Sequence, residues 1–235
     1  MRLTKLNNDS SWLWEIDGCA LLVDPWFSPS QIDLAPWFST QYHTDPQPLI
    51  SELPKPDGIF ISNPFSDHCN KETLLTCDPA IPVYATASIL RKIRKWKHFQ
   101  FLHELSDAPI PITRIAPKGL LDATHASYYL RSKKHSLLYA PHGCRNLSLP
   151  EVDVVITTTT TYTLPFWLGG TVNLGYDAAQ ELKKRCKAKH LLNTHDEQKI
   201  GKGLVESFAR KRYVTSDQHE QINWVKAGEH IEFDH

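Results

Sequence analysis

At 235 residues, with 41% hydrophobic and 22% charged side chains, the chain has the composition of a globular protein; no linker or composition break divides residues 1–235, so one domain is expected. Lys+Arg and Asp+Glu balance at 26 each, which argues against an overall basic field for nucleic acid or an anionic membrane. Five cysteines (Cys19, Cys69, Cys77, Cys144, Cys186) without CxxC spacing argue against a disulfide framework or a four-cysteine zinc ribbon. With no apolar signal core in the first residues and no run of membrane-spanning length, a cytoplasmic protein without a membrane span is expected.

Two strand-like runs, 11–17 and 19–24, flank Asp17-Gly18, a hairpin signal. The second run is continuously apolar, as in a strand covered on both faces, until Asp24-Pro25 stops it. Residues 26–56 read as a long loop carrying Trp26, Phe27, Trp37, Phe38 and Tyr42, either draped over a site or packed as satellite core. Ile59-Phe60-Ile61 is a short apolar strand running into the polar turn Ser62-Asn63-Pro64-Phe65-Ser66-Asp67-His68.

A short helix is expected over 71–76, a strand over 81–85, and a helix that Ser88 could N-cap, running to Lys97 with its basic residues on a solvated face. Strands follow at 112–116, 120–129, 136–140 and 152–156, and the threonines 157–161 extend the last of these or line a pocket. Helical spacing returns over 177–186, then a strand over 190–193, a helix near 202–210, and a closing hairpin from 221–225 and 229–233. Strands first, then alternation, then strands again suit an α/β fold of two mixed sheets between helices.

Four histidines stand where strand-like runs end: His68, His125 after Ala123-Thr124, His142 in Tyr139-Ala140-Pro141-His142-Gly143, and His195 in Asn193-Thr194-His195. A strand end delivers a side chain to the sheet rim on a rigid stem, as a metal site assembled from distant sequence requires. One such histidine is ordinarily a hydrogen-bonded core residue; four with an aspartate, Asp67, point to a shared cluster. Cys69 could be a nucleophile beside His68 or a buried small side chain. The basic group Lys199, Lys202, Arg210, Lys211 and Arg212 could receive an anion or be a solvated face. Nucleotide-binding glycine spacing and a Gly-x-Ser-x-Gly elbow are both missing from the sequence.

In that order, Leu22-Val23-Asp24-Pro25-Trp26, Ser62 to His68, Ala123-Thr124-His125, Tyr139 to Gly143 and Asn193-Thr194-His195 resemble the five motifs of the metallo-β-lactamase superfamily. The first and last are most similar to the branch with lactone- and phospholipid-cleaving members. The resemblance implies a four-layer αββα sandwich, with Asp24 as a structural neighbour of the site. It also implies a metal held by Asp67, His68, His142 and His195, with His125 as a further ligand or nearby base. Asn63 and Phe65 replace the two leading histidines of the second motif; neither an amide nor a phenyl ring substitutes for imidazole, so one of the family's two metal sites is expected to be lost, leaving Asn63 as a structural neighbour. One divalent metal is then expected, zinc first, with iron or manganese as alternatives, and Asp67 would be the catalytic proton acceptor.

The function so implied is hydrolysis of a small ester, lactone or phosphoester. The alternative is a catalytically inactive member, with a metal or with none, that binds a ligand or partner through the former pocket with the 26–56 loop as contact surface.

Overall fold

The computed structural model describes residues 1–117, 122 and 124–233. Its largest sheet has seven strands in the order His230–Glu232, Arg2–Lys5, Trp12–Ile16, Cys19–Val23, Gly58–Ile61, Val83–Ala85 and Leu102–His103. A second sheet has five, ordered His190–Asn193, Val154–Thr157, Ser136–Ala140, Ser127–Arg131 and Ile112–Ile115. Both mix parallel and antiparallel pairs.

The layering follows from strand periodicity. Trp12, Trp14, Leu21, Val23 and Phe60 from the first sheet meet Tyr128, Leu137, Tyr139, Val154 and Ile156 from the second in one buried core. Alternate residues Leu13, Leu22, Ile59 and Ile61 face outward and are covered by Ile89, Leu90 and Ile93 of the helix Ala87–Arg94. On the far side Leu138, Val155 and Leu191 pack under Ala179 and Leu182 of the helix Tyr176–Arg185. Helix, sheet, sheet, helix is the expected four-layer α/β sandwich, and strands covered on both faces explain the unbroken apolar runs.

Asp17 and Gly18 both take positive φ, 53° and 83°, as a two-residue hairpin turn requires. Residues 26–56, expected as loop, instead contain the strands Ser30–Asp33 and Ser39–Tyr42, which pair with each other and with Ile200–Lys202. The pairing partner lies some 160 residues away, so no local pattern announces it. The aromatic set splits: Trp26 is fully buried and Trp37 is exposed. The second helix begins at Ala87 with Thr86 in the N-cap position, one turn short of Lys97 at its other end. The closing hairpin is corrected too: 221–225 forms no strand, and His230–Glu232 pairs with Arg2–Lys5, because Met1 to Lys5 offers the open edge. The strand expected over 120–129 is seen as Ser127–Arg131; residues 118–121 and 123 lie outside the described residues. No described helix is long and apolar enough to cross a membrane.

Lys5 is the least comfortable core residue. It is fully buried, its Nζ makes no hydrogen bond to a described group, and the Trp12 and Trp224 rings lie 5.9 and 5.7 Å from its charge. Burial pushes its pKa down to about 8, against the opposing pull of Asp196, Asp9, Glu197 and Glu229. Because the folded pKa lies below the unfolded 10.5, the unfolded chain binds more protons between those values and the penalty on folding, full below pH 8, fades as pH rises to 10.5. Lys5→Met should therefore stabilise the protein by about 2–3 kcal/mol at pH 7, with the gain shrinking toward zero near pH 10.5. Urea unfolding of both proteins across that range checks it, and a gain independent of pH contradicts it.

Candidate metal centre

The ends of five strands converge on one rim of the sandwich. Strand Cys19–Val23 delivers Asp24, Gly58–Ile61 leads into the turn holding Asp67 and His68, Ser136–Ala140 delivers His142, and His190–Asn193 delivers His195; Asn173 comes from Thr171–Leu174. All five of these charged or imidazole side chains are buried.

Each imidazole meets an oxygen at Nδ1 and turns its Nε2 into the cluster. His68 Nδ1 lies 2.8 Å from Asp24 Oδ2, His142 Nδ1 lies 2.8 Å from Asn173 Oδ1, and His195 Nδ1 lies 2.7 Å from Asp9 Oδ1. For His68 and His142, an oxygen acceptor at Nδ1 draws the ring hydrogen there and leaves the Nε2 lone pair free; His195, with a carboxylate at each nitrogen, favours the protonated ring. The Nε2 atoms of His68 and His142 then face each other at 3.0 Å. Asp67 Oδ2 stands 3.1 Å from His195 Nε2 without hydrogen-bond alignment, and Asp67 Oδ1 is buried with no hydrogen bond to a described group, 3.9 Å from His68 Nε2. Among the described residues two groups hold ligand atoms within 4.8 Å of one another: His68, His142 and His195, and Asp9, Asp67 and His195.

Burial, reinforced by His195 and His68, holds His142 well below the usual imidazole range, so it stays neutral. Burial opposes charge on His195 as well, yet Asp9 and Asp67 lift it to about 9. Burial would raise Asp67, but His68, His195 and Lys199 hold it well below the usual carboxylate range.

Asp24, in left-handed backbone at φ 45°, accepts from the Ser62 N–H at 2.7 Å, the Ser62 hydroxyl, the Tyr139 hydroxyl at 2.8 Å and His68. Asn63 Oδ1 closes its turn on the Phe65 N–H at 3.2 Å, and Phe65 lies against the cavity with 42% of its surface exposed. His125 belongs to neither group; its Nδ1 is 2.7 Å from Asp122 Oδ1, its Nε2 is buried without an aligned hydrogen bond to a described group, and burial lowers its pKa. Cys69 is buried, with a thiol pushed up to about 12, so the small-side-chain alternative describes it.

Sequence reasoning missed Asp9 and Asn173. Asp9 sits in the polar turn Asn7-Asn8-Asp9-Ser10-Ser11, which looks like any solvated hairpin end, and Asn173 lies in an unremarkable strand. Lys199 is not on a solvated face: its Nζ holds both oxygens of Asp9 at 3.0 and 3.1 Å, and its charge lies 5.0 Å from the Trp26 ring. Burial would raise Asp9, but His195 and Lys199 hold it below the ordinary carboxylate range.

The cluster opens into a cavity of about 230 Å³ with Asp67, His142 and His195 in its lining and walls that include Phe38, Phe65, Tyr162, Leu164, Val172 and Val205. Both lysines in the lining are paired, Lys199 with Asp9 and Lys211 with Glu206 at 2.8 Å.

Residues 2–195 match the family model described as a beta-lactamase superfamily domain. Among solved structures, the chain resembles an isothiocyanate hydrolase from Delia radicum gut bacteria (TM-score 0.76, 13% identity, all of both chains covered). It also resembles Igni18, a metallo hydrolase from the archaeon Ignicoccus hospitalis (0.65, 16%, 99% of both chains), and the metallo-beta-lactamase fold protein YhfI from Bacillus subtilis (0.63, 13%, 98% of this chain and 99% of that one). At these identities the likeness is one of fold. No curated protein sequence matches the chain.

Proposed function

The chain belongs to the metallo-β-lactamase superfamily, and from that membership we propose that it is a metal-dependent hydrolase holding one divalent ion on Asp67, His68, His142 and His195. The observation that carries this reading is the 3.0 Å approach of two Nε2 atoms whose rings already commit their hydrogens to Asp24 and Asn173. Two lone pairs at that distance repel unless a proton or a cation lies between them. Three imidazoles and a carboxylate suit zinc, with iron or manganese next. One ion is favoured over two because Asn63 spends its oxygen on a turn and Phe65 has no lone pair to offer.

A bound divalent ion would acidify water and polarise an ester carbonyl. The chain's own residues do the rest. Asp24 and Asn173 fix the His68 and His142 rings in tautomer and direction, and Asp9 orients His195. Asp67 Oδ1, buried and unpartnered, is the atom that takes a proton from the attacking water, and His125, outside the ligand set, is a neutral base in reserve. The apolar walls limit competing solvent.

For the substrate, the pairing of both lining lysines leaves no unspent ammonium for a phosphate, which favours a small uncharged ester or lactone over a phosphoester. An isothiocyanate, named for one structural neighbour, is another small uncharged electrophile and belongs in the same substrate panel.

Protein purified without chelator should carry about one equivalent of zinc, iron or manganese by plasma mass spectrometry, and should hydrolyse a member of that panel. If no metal accompanies the protein and none binds at micromolar levels, the reading is wrong. Metal without hydrolysis would favour the alternative, a member that binds a ligand through this pocket.

A further inference from the structure

The small sheet beside the cavity, Thr171–Leu174, Thr161–Thr163 and Arg210–Arg212, puts Asn173, Tyr162 and Lys211 in one cross-strand row. All three line the cavity. Two of their polar groups are committed: Asn173 Oδ1 to His142, and Lys211 Nζ to Glu206 with its charge 5.6 Å from the Tyr162 ring. The Tyr162 hydroxyl is not. It is buried and makes no hydrogen bond to a described group.

Two residues earlier, Thr160 also lines the cavity; its N–H is held by Asp196 at 2.7 Å, and its buried hydroxyl, beside that same carboxylate, makes no aligned hydrogen bond to a described group. Thr160, in the bend just before this strand, and Tyr162 both line the cavity, whereas Thr161 between them packs toward Gly175, where an added Cβ would come within 2.0 Å of its Oγ1. Burial and the Glu206 carboxylate raise the Tyr162 phenol, so it remains a donor at all ordinary pH. Two unpartnered hydroxyls on one apolar wall carry a desolvation cost that a ligand oxygen would relieve.

The geometry points to Tyr162 and Thr160 as a two-hydroxyl subsite that binds an acceptor oxygen of a small, otherwise apolar molecule in the cavity. This rests on the hydrolase reading only in taking that molecule to be the substrate, a carbonyl compound such as a lactone. It is neither part of the metal centre nor among the residues the sequence motifs mark.

The test uses the protein as purified without chelator, its metal content measured, and δ-valerolactam, an uncharged ring with an acceptor carbonyl, as the probe by titration calorimetry. Y162F and T160V should each weaken binding by about five- to tenfold, with metal content unchanged. Because neither hydroxyl makes a hydrogen bond to a described group, both variants should melt no lower than the parent, up to about 3 °C higher. Unchanged lactam affinity in Y162F, a parent that does not bind the lactam, or a melting point lowered by about 3 °C would each overturn the subsite. A parent that binds the lactam but carries no metal would remove the hydrolase reading and leave the subsite standing.

Discussion

Replacing His142 with alanine is expected to lower metal affinity by about 10²–10³-fold and to abolish hydrolysis, while leaving the protein folded. Structural zinc sites with four ligands are worth about 10–16 kcal/mol, so each ligand accounts for about 3–4 kcal/mol, which gives that range. The ring, itself in the cavity lining, touches His68 through Nε2 and Asn173 through Nδ1; Asn173 also lines the cavity and His68 is a buried polar group, so neither contact is apolar core packing. Asn173→Ala, which removes only the acceptor that orients the ring, should cost about 10–100-fold. The ordering of the two variants is informative. If the histidines only hydrogen-bonded each other, both changes would shift stability alike and neither would touch metal content. Competition with a chromogenic chelator separates the two outcomes, and a His142→Ala protein that retains full metal affinity would exclude His142 as a ligand.

The main lines of the fold could be read from the chain because they rest on local periodicity. The Asp17-Gly18 turn, the apolar run 19–23 and the strand before Ser62 declare themselves within a few residues. The sandwich follows once such strands need covering on both faces. His68, His142 and His195 were visible for the same reason, each ending a strand that a short window detects, and the structure brings their ring nitrogens together. His125 shared that signal and stands outside the group.

What escaped depends on contacts between distant segments. Asp9 reaches His195 across 186 positions, and nothing in Asn-Asn-Asp-Ser-Ser separates it from a solvated turn. The strands hidden in 26–56 pair with 200–202, and the Tyr162 subsite exists only because three short strands line up Asn173, Tyr162 and Lys211. The orienting oxygens Asp24, Asn173 and Asp9 come from three separate stretches. Of these only Asp24 lay in a recognisable motif.

Asp24→Asn is expected to cost about 3–5 kcal/mol of stability and a further 10–100-fold in metal affinity, two losses that can be measured separately. The carboxylate is fully buried and purely an acceptor: Oδ1 takes the Ser62 N–H, and Oδ2 takes the Ser62 hydroxyl, the Tyr139 hydroxyl and His68 Nδ1. An amide has the same shape but must turn its NH₂ toward one set or the other. In one orientation it confronts the Ser62 N–H, in the other three donors at once, and either way donors face donors in a site without solvent. The groups involved join the first sheet, through the strand ends at Asp24 and Ser62, to the second, through Tyr139, so the damage is to the sandwich and not only to the rim. For a chain of this size that loss lowers the melting point by about 10 °C. Measured with chelator present, it should remain nearly whole, because it does not depend on a bound ion. Tyr139→Phe, which removes one donor and leaves the carboxylate with three, should cost only about 1 kcal/mol. If Asp24→Asn stayed within about 1 kcal/mol of the parent in chelator, the carboxylate would matter only through His68, and its place as the tie between the sheets would be lost.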